Sequence, residues 1–165
     1  MLSQILVLNW FDYNHEINNR LLELAAKVTP KQWDMPHNFG RCTSLRETLF
    51  HVLSVEEEWL ALCETGTPDF GFRSLDDYPD AASLQTYSDQ VYRHYFPYIE
   101  SLNDQSLTAR ITAMLPDNRE HSIMVWQLLS HMLYHSAYHR SEIASMLTSF
   151  GQSPGAIDFF GFRWD

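Results

Sequence analysis

Apolar positions recur at steps of three and four along four long stretches of this chain, the period of a helix with one buried face. The first runs from about Ser3 to Val28, with Ile5, Leu6, Trp10, Tyr13, Ile17, Leu21 and Ala25 on one side and Pro30 ending it. The second opens at Thr43 or Ser44. Glu47 stands three residues beyond Ser44 as in a capping box, and Leu45, Leu49, Val52, Val55 or Glu56, and Trp59 form the stripe. It stops before Gly66-Thr-Pro68. A third stretch, about Ala82 to Leu102, carries Leu84, Tyr87, Val91, Tyr95 and Ile99. The fourth, Ser122 to Phe150, has no Gly or Pro and reads as one continuous amphipathic helix.

The connections are uneven. Lys31 to Cys42 and Thr67 to Asp80 are long and rich in Pro, Gly, Asp and aromatic residues, the kind of loop that borders functional sites. Between the third and fourth helices, two alternating runs flank Leu115-Pro-Asp-Asn118, which predicts a short β-hairpin. The tail from Pro154 to Trp164 is too aromatic to be left in water and is expected to fold back over the helices. The pattern therefore predicts an all-α protein, a four-helix bundle with long connections and a short β-hairpin before the last helix.

Composition narrows this further. At 165 residues the chain is expected to be one domain over residues 1–165, and its 45% apolar content, with ten Phe, eight Tyr and five Trp, excludes disorder. The formal net charge is −10, from 11 basic and 21 acidic residues, so a phosphate backbone or an anionic membrane surface would be repelled. The first residues lack a basic segment, a cleavage site and enough consecutive apolar residues to span a bilayer. Cys42 and Cys63 form no CxxC pattern, and a cytoplasmic, reducing environment fits best. The expected partner is a small molecule, with no nucleic acid and no membrane.

The richest chemistry lies in His131-Met-Leu-Tyr-His135-Ser-Ala-Tyr-His139, where histidines recur every fourth residue of the fourth helix. A spacing of four puts neighbours on one face, close enough to share a metal ion. With about 100° of rotation per residue, His139 falls nearest the centre of the buried stripe, then His135, then His131. His131 and His139 are about 12 Å apart along the axis, too far to share an ion. The pair is thus His131/His135 or His135/His139, and burial favours the second. Two imidazoles hold a divalent ion weakly, so a third ligand from another helix is expected. His15, His37, His51, His94 and His121 remain; His51 lies inside the second helix, on the flank of its stripe. No Glu-x-x-His pair and no His-Glu-x-x-His run occurs, which disfavours a carboxylate-bridged di-metal bundle and one class of zinc protease.

At this point the residues resemble a known family. His131 to Ile143, containing His135-Ser-Ala-Tyr-His139-Arg140-Ser-Glu-Ile143, is similar to the HxxxHRGxI helix that closes the bundle of DinB-like (DinB/YfiT) proteins, with Ser141 in place of Gly. Ser44 to His51, followed by Glu56 and Trp59, resembles that family's second helix, and Tyr13-Asn14, Ile17-Asn18 and Leu21-Leu22 its first. The resemblance covers nearly the whole chain. It implies an up-up-down-down bundle, often a homodimer, with a divalent metal ion held by His51, His135 and His139. Family members of known activity are thiol S-transferases or thiol-dependent isomerases, which implies a low-molecular-weight thiol as second cofactor.

Three neutral imidazoles leave a divalent ion its full charge and an open position, able to lower the pKa of water or to activate a thiolate. Zinc is the default; nickel, manganese and iron also suit imidazole. Glu56, on the apolar stripe, is the candidate catalytic carboxylate, to orient a ligand or accept a proton. Asn14 and Asn18 are expected to support the site or satisfy nearby backbone, and Arg140 to point away from the buried stripe. The leading expectation is a metal-dependent thiol S-transferase. The rivals are a non-catalytic metal-binding or stress-response dimer, and a plain helical dimer whose histidines only pack.

Overall fold

Each apolar stripe becomes one wall of a shared core. The computed structural model describes residues 2–38, 40–68 and 73–162. Its long helices are α1 (Leu2–Ala25), α3 (Leu45–Thr65), α4 (Ala81–Ser101) and α6 (Val125–Ser149), with short helices α2 (Pro30–Trp33) and α5 (Asp104–Thr108) between them. Strands β1 (Arg110–Met114) and β2 (Glu120–Met124) form the antiparallel hairpin expected before the last helix, with Ile111 opposite Ile123. Asn118 turns it at φ 60°, a left-handed conformation that Asn tolerates.

Around the bundle, α1 packs on α4 and α6, and α3 packs on the same two, so α1 and α3 face each other diagonally. Leu21, Leu45, Leu84 and Leu147 are wholly buried where these faces meet. Burying a leucine contributes about 2 kcal/mol, so this core is the main favourable term in folding. Its stripe membership differs from the pattern reading in α1, where Ile5 and Leu6 are 57% and 42% exposed. They lie in the first turns, where α1 presents that side to solvent.

The bundle matches the expectation, but the order of helix senses does not. Gln4 bonds to the Glu100 carbonyl and Asn19 to Gln85, so α1 and α4 are antiparallel. Glu57 meets Tyr87 and Cys63 meets Tyr98, so α3 and α4 are parallel. With Trp59 against His131 and His51 against His139, α3 and α6 are antiparallel. In chain order the senses are up, down, down, up. The first long connection turns the chain back at one end, where Arg46 bonds to the carbonyls of Leu75 and Tyr78 at the start of α4. The second, pinned midway by a two-pronged Arg73–Glu57 pair, carries it back along the bundle.

Local chemistry sets the helix ends. Ser44 caps α3 by accepting from the Glu47 N–H, while the Glu47 carboxylate accepts from Thr43 rather than closing a capping box on Ser44. Gly66 ends α3 at φ 71°. Pro30 does more than end α1: it opens α2 behind a Thr29–Gln32 capping box. Helix α6 starts at Val125 rather than Ser122 because Ser122 to Met124 pair in the hairpin. The tail folds back as expected: Tyr13 donates to the Ile157 carbonyl at 2.7 Å, Arg20 to those of Pro154 and Ala156, and Phe159 and Phe162 meet the Tyr13 ring edge-on. Phe160 is exposed, and Arg163 and Trp164 lie outside the described residues.

Candidate metal centre

The antiparallel packing of α3 on α6 brings three imidazoles to one point. The His51 ring lies 5.0 Å from that of His135 and 4.7 Å from that of His139, and the last two are 4.6 Å apart. One ring nitrogen from each lies within 4.8 Å of the other two. Nitrogens around a shared zinc ion at ~2.1 Å stand roughly 3.4 Å apart, so modest ring rotations close the set. Among the described residues no other group of His, Cys, Asp or Glu converges in this way. His15 stacks on Tyr92, His94 lies by Glu64, His121 pairs with Asp117, and the His37 backbone bonds to Thr43 in the first long connection.

The donor set fits a divalent cation. Buried nitrogens of His51 (Nε2) and His135 (Nδ1) have no hydrogen-bond partner, an arrangement that costs stability unless something occupies their lone pairs. Burial is the main reason the pKa of His51 is lowered to about 4 and that of His135 to about 3, with the neighbouring histidines and Arg41 adding repulsion. Both are therefore neutral near pH 7, the form that donates to a metal. His139 Nδ1 lies 2.7 Å from a Glu142 carboxylate oxygen. That bond fixes the ring and leaves Nε2 as its donor, the carboxylate–histidine arrangement common behind metal ligands. The sequence reading missed Glu142, although it stands one helical turn after His139.

Burial along α6 follows the predicted order: His139 is buried, His135 half-buried and His131 exposed. His131 packs edge-on against Trp59 at 5.0 Å. Together with Arg41, His51, Glu58 and His135 these residues line a cavity of about 450 Å³ beside the imidazole cluster. A smaller hollow of about 250 Å³, lined by Arg41, Cys42, Glu47 and Phe50, borders His51 on its other side. A third, about 200 Å³ against Trp33 and Pro79, lies at the bundle end and is almost wholly apolar.

Glu56, rather than Val55, is the buried member of its stripe. Its carboxylate accepts from Asn18 of α1 at 3.0 Å and from Ser136 of α6 at 2.6 Å. Burial pushes the carboxyl pKa up, opposed by those bonds and by the Arg140 charge. Arg140 itself does not point away from the core, as expected from the stripe alone; it is 1% exposed, donates to Asn14 and lies over the Tyr13 ring at 5.0 Å. Helix α6 packs on α1 as well as on α3, so its buried arc is wider than one apolar stripe. Asn14 and Asn18 thus serve buried charged groups. Ser141, where the resemblance expects Gly, is exposed and donates to the Tyr138 carbonyl.

A helical bundle with a histidine cluster between α3 and α6 defines the structural class, and comparison places the chain within it. The chain belongs to the DinB family, whose model matches residues 1–165. It resembles the crystal structure of the DinB-like protein YjoA from Bacillus subtilis, with a TM-score of 0.64 and 13% identity over 89% of this chain and 93% of that one. It also resembles YfiT from Bacillus subtilis, described as a probable metal-dependent hydrolase with an unusual four-helix bundle topology. That likeness has a TM-score of 0.66 and 17% identity, over 87% of each chain. At these identities the two structures support the fold alone. Curated protein sequences give no match.

Two outcomes follow from the geometry. Removing the Glu56 carboxylate leaves the Asn18 and Ser136 donors unsatisfied in the core, so Glu56→Ala should lower unfolding stability by about 3 kcal/mol in urea titrations; a change below ~1 kcal/mol would show the network to be dispensable. For His51 and His135 the native pKa lies below the unfolded value of 6.5, so on acidification the unfolded chain binds protons first. Metal-free protein should therefore lose stability as pH falls from about 6.5 toward about 4 and 3, and a His51→Ala/His135→Ala variant should show a shallower acid limb.

Proposed function

We propose that the protein is a metal-dependent enzyme in which His51, His135 and His139 hold one divalent ion, and that it transfers a low-molecular-weight thiol to a small electrophile. The observation that carries this reading is the convergence of three imidazole nitrogens, two of them neutral and without partners, beside a cavity of about 450 Å³. Membership of the DinB family supports it. Bound there, zinc, nickel, manganese or iron supplies a Lewis acid that lowers the pKa of a thiol or of water.

The chain's own residues supply the rest. Neutral imidazoles leave the cationic charge of the site undiminished, which favours the anionic form of an entering thiol. Glu142 orients His139. Glu56 acts as a positioning residue: its bond to Ser136 fixes the turn of α6 that carries His135. Trp59 and Val55 give the cavity an apolar flank that displaces water from a bound molecule. In this reading the enzyme works as a homodimer in the cytoplasm. A second copy covers Ile5 and Leu6 of α1 and Trp126, Tyr134 and Tyr138 of α6, all exposed in the single chain.

A second reading, metal-dependent hydrolysis, is favoured by the description of YfiT as a probable metal-dependent hydrolase. One set of samples separates the two. Untagged protein should contain close to one equivalent of divalent metal per chain and sediment as a dimer, and His135→Ala should lose the metal. With thiol and electrophile panels, consumption of thiol should disappear on chelation and in His135→Ala. Ester or amide hydrolysis without thiol would favour the second reading. Bound metal with neither activity would leave a structural or stress-response bundle, and absence of metal in fresh protein would overturn the centre itself.

A further inference from the structure

The cavity beside the imidazoles is electrically uneven, with Arg41 its one lining guanidinium and Glu58 its one lining carboxylate. Arg41 lines both this cavity and the smaller hollow across His51. It is exposed and forms no ion pair among the described residues. The core-facing and loop-pinning arginines differ: Arg20 bonds to tail carbonyls, Arg46 to Leu75 and Tyr78, Arg73 to Glu57, and Arg140 to Asn14. In a chain with 21 acidic residues and 11 basic ones, a guanidinium left unpaired at a cavity mouth stands out chemically.

Its placement is built rather than incidental. On one side, Gly40 has φ +79° and lies so close to Glu142 that an added Cβ would crowd its carboxylate. Glycine adopts that left-handed φ without the strain that a side chain would meet there. On the other side, Cys42 is buried at 5% exposure, and the His37 N–H bonds to the Thr43 carbonyl at 2.9 Å. The backbone after Arg41 is therefore held by the buried Cys42 and by the His37–Thr43 bond. The carboxylate that crowds the Gly40 position is the one that orients His139. The cavity's other lining residues include Trp59 and Val55, which are apolar, the histidines, and Glu58 on α3.

We propose that this cavity takes a small carboxylate-bearing molecule, held at its carboxylate by Arg41 and along its carbon skeleton by Trp59 and Val55, with its other end toward the three imidazoles. A planar guanidinium matches a carboxylate with two parallel hydrogen bonds, which gives orientation as well as attraction. The inference rests on the proposed metal-dependent reading only for what reacts at the inner end. The anion anchor is a property of the chain itself, and it gives the thiol or the electrophile of that reaction a carboxylate.

Nitrogen-15 NMR tests it on the full chain, metal-free and zinc-loaded, with succinate as the probe, its neutral analogue succinamide as control, and ionic strength held constant. Succinate should shift the Trp59 indole N–H and the Arg41 side-chain signal saturably, and bind about tenfold more tightly than succinamide. Arg41→Gln should abolish that preference without altering the rest of the spectrum, and Arg41→Lys should restore part of it. The metal-free arm decides the matter, since zinc could itself attract a carboxylate. A chain that binds no zinc would defeat the metal-dependent reading and still report on the anchor. Equal binding of the two probes, or a preference for succinate that survives Arg41→Gln, overturns the proposal.

Discussion

A carboxylate buried beyond the reach of water must be hydrogen-bonded, and Glu56 meets that demand with donors from two other helices. Asn18 reaches it from α1 and Ser136 from α6, so a shift of either helix by one residue would break a buried bond. The same contact sets the rest of the site. Ser136 directly follows His135, and His51 lies a little more than one turn before Glu56 on α3. The register that satisfies the carboxylate is the register that brings the three imidazoles together. Arg140, bonded to Asn14, ties α6 to α1 by a second buried polar contact and reinforces it.

Two carboxylates thus act on the histidine helix in different ways. Glu56 holds its register from inside the bundle, and Glu142 turns one ring from its outer side. Neither provides a donor in the imidazole cluster itself. The consequence is a cluster of neutral nitrogen ligands, which leaves the charge of a divalent ion available to substrate. Of the residues lining the cavity, the Arg41 guanidinium and the Glu58 carboxylate carry formal charges of opposite sign, so the field there is uneven.

Much of this was legible in the sequence, because helical angle converts spacing into burial. The order His139, His135, His131 from inside to outside follows from rotation per residue, and His51 was within the resembling second helix. Arg140 was not legible: an apolar stripe records one buried face, while α6 packs on two helices and hides a polar residue between them. The senses of the helices were also beyond the pattern, since periodicity is the same in either direction and the path of the second connection depends on the Leu75 and Tyr78 carbonyls that Arg46 of α3 binds. Glu142 could have been found from its three-residue spacing to His139. Val55 and Glu56 could not be separated, because a buried glutamate declares itself only through its partners. Ile5 and Leu6 illustrate the reverse case, apolar residues at helical spacing that the fold leaves exposed.

The account stands on a shared ion at the imidazole cluster. Crystals of the untagged protein, measured for anomalous scattering on both sides of the zinc edge and at the edges of nickel, iron and manganese, test it directly. The predicted result is a single strong peak within ~2.1 Å of one nitrogen each from His51, His135 and His139, with Glu142 still on the far nitrogen of His139. A peak held instead by His131 and His135, or rings that turn away from one another with no peak between them, would contradict it.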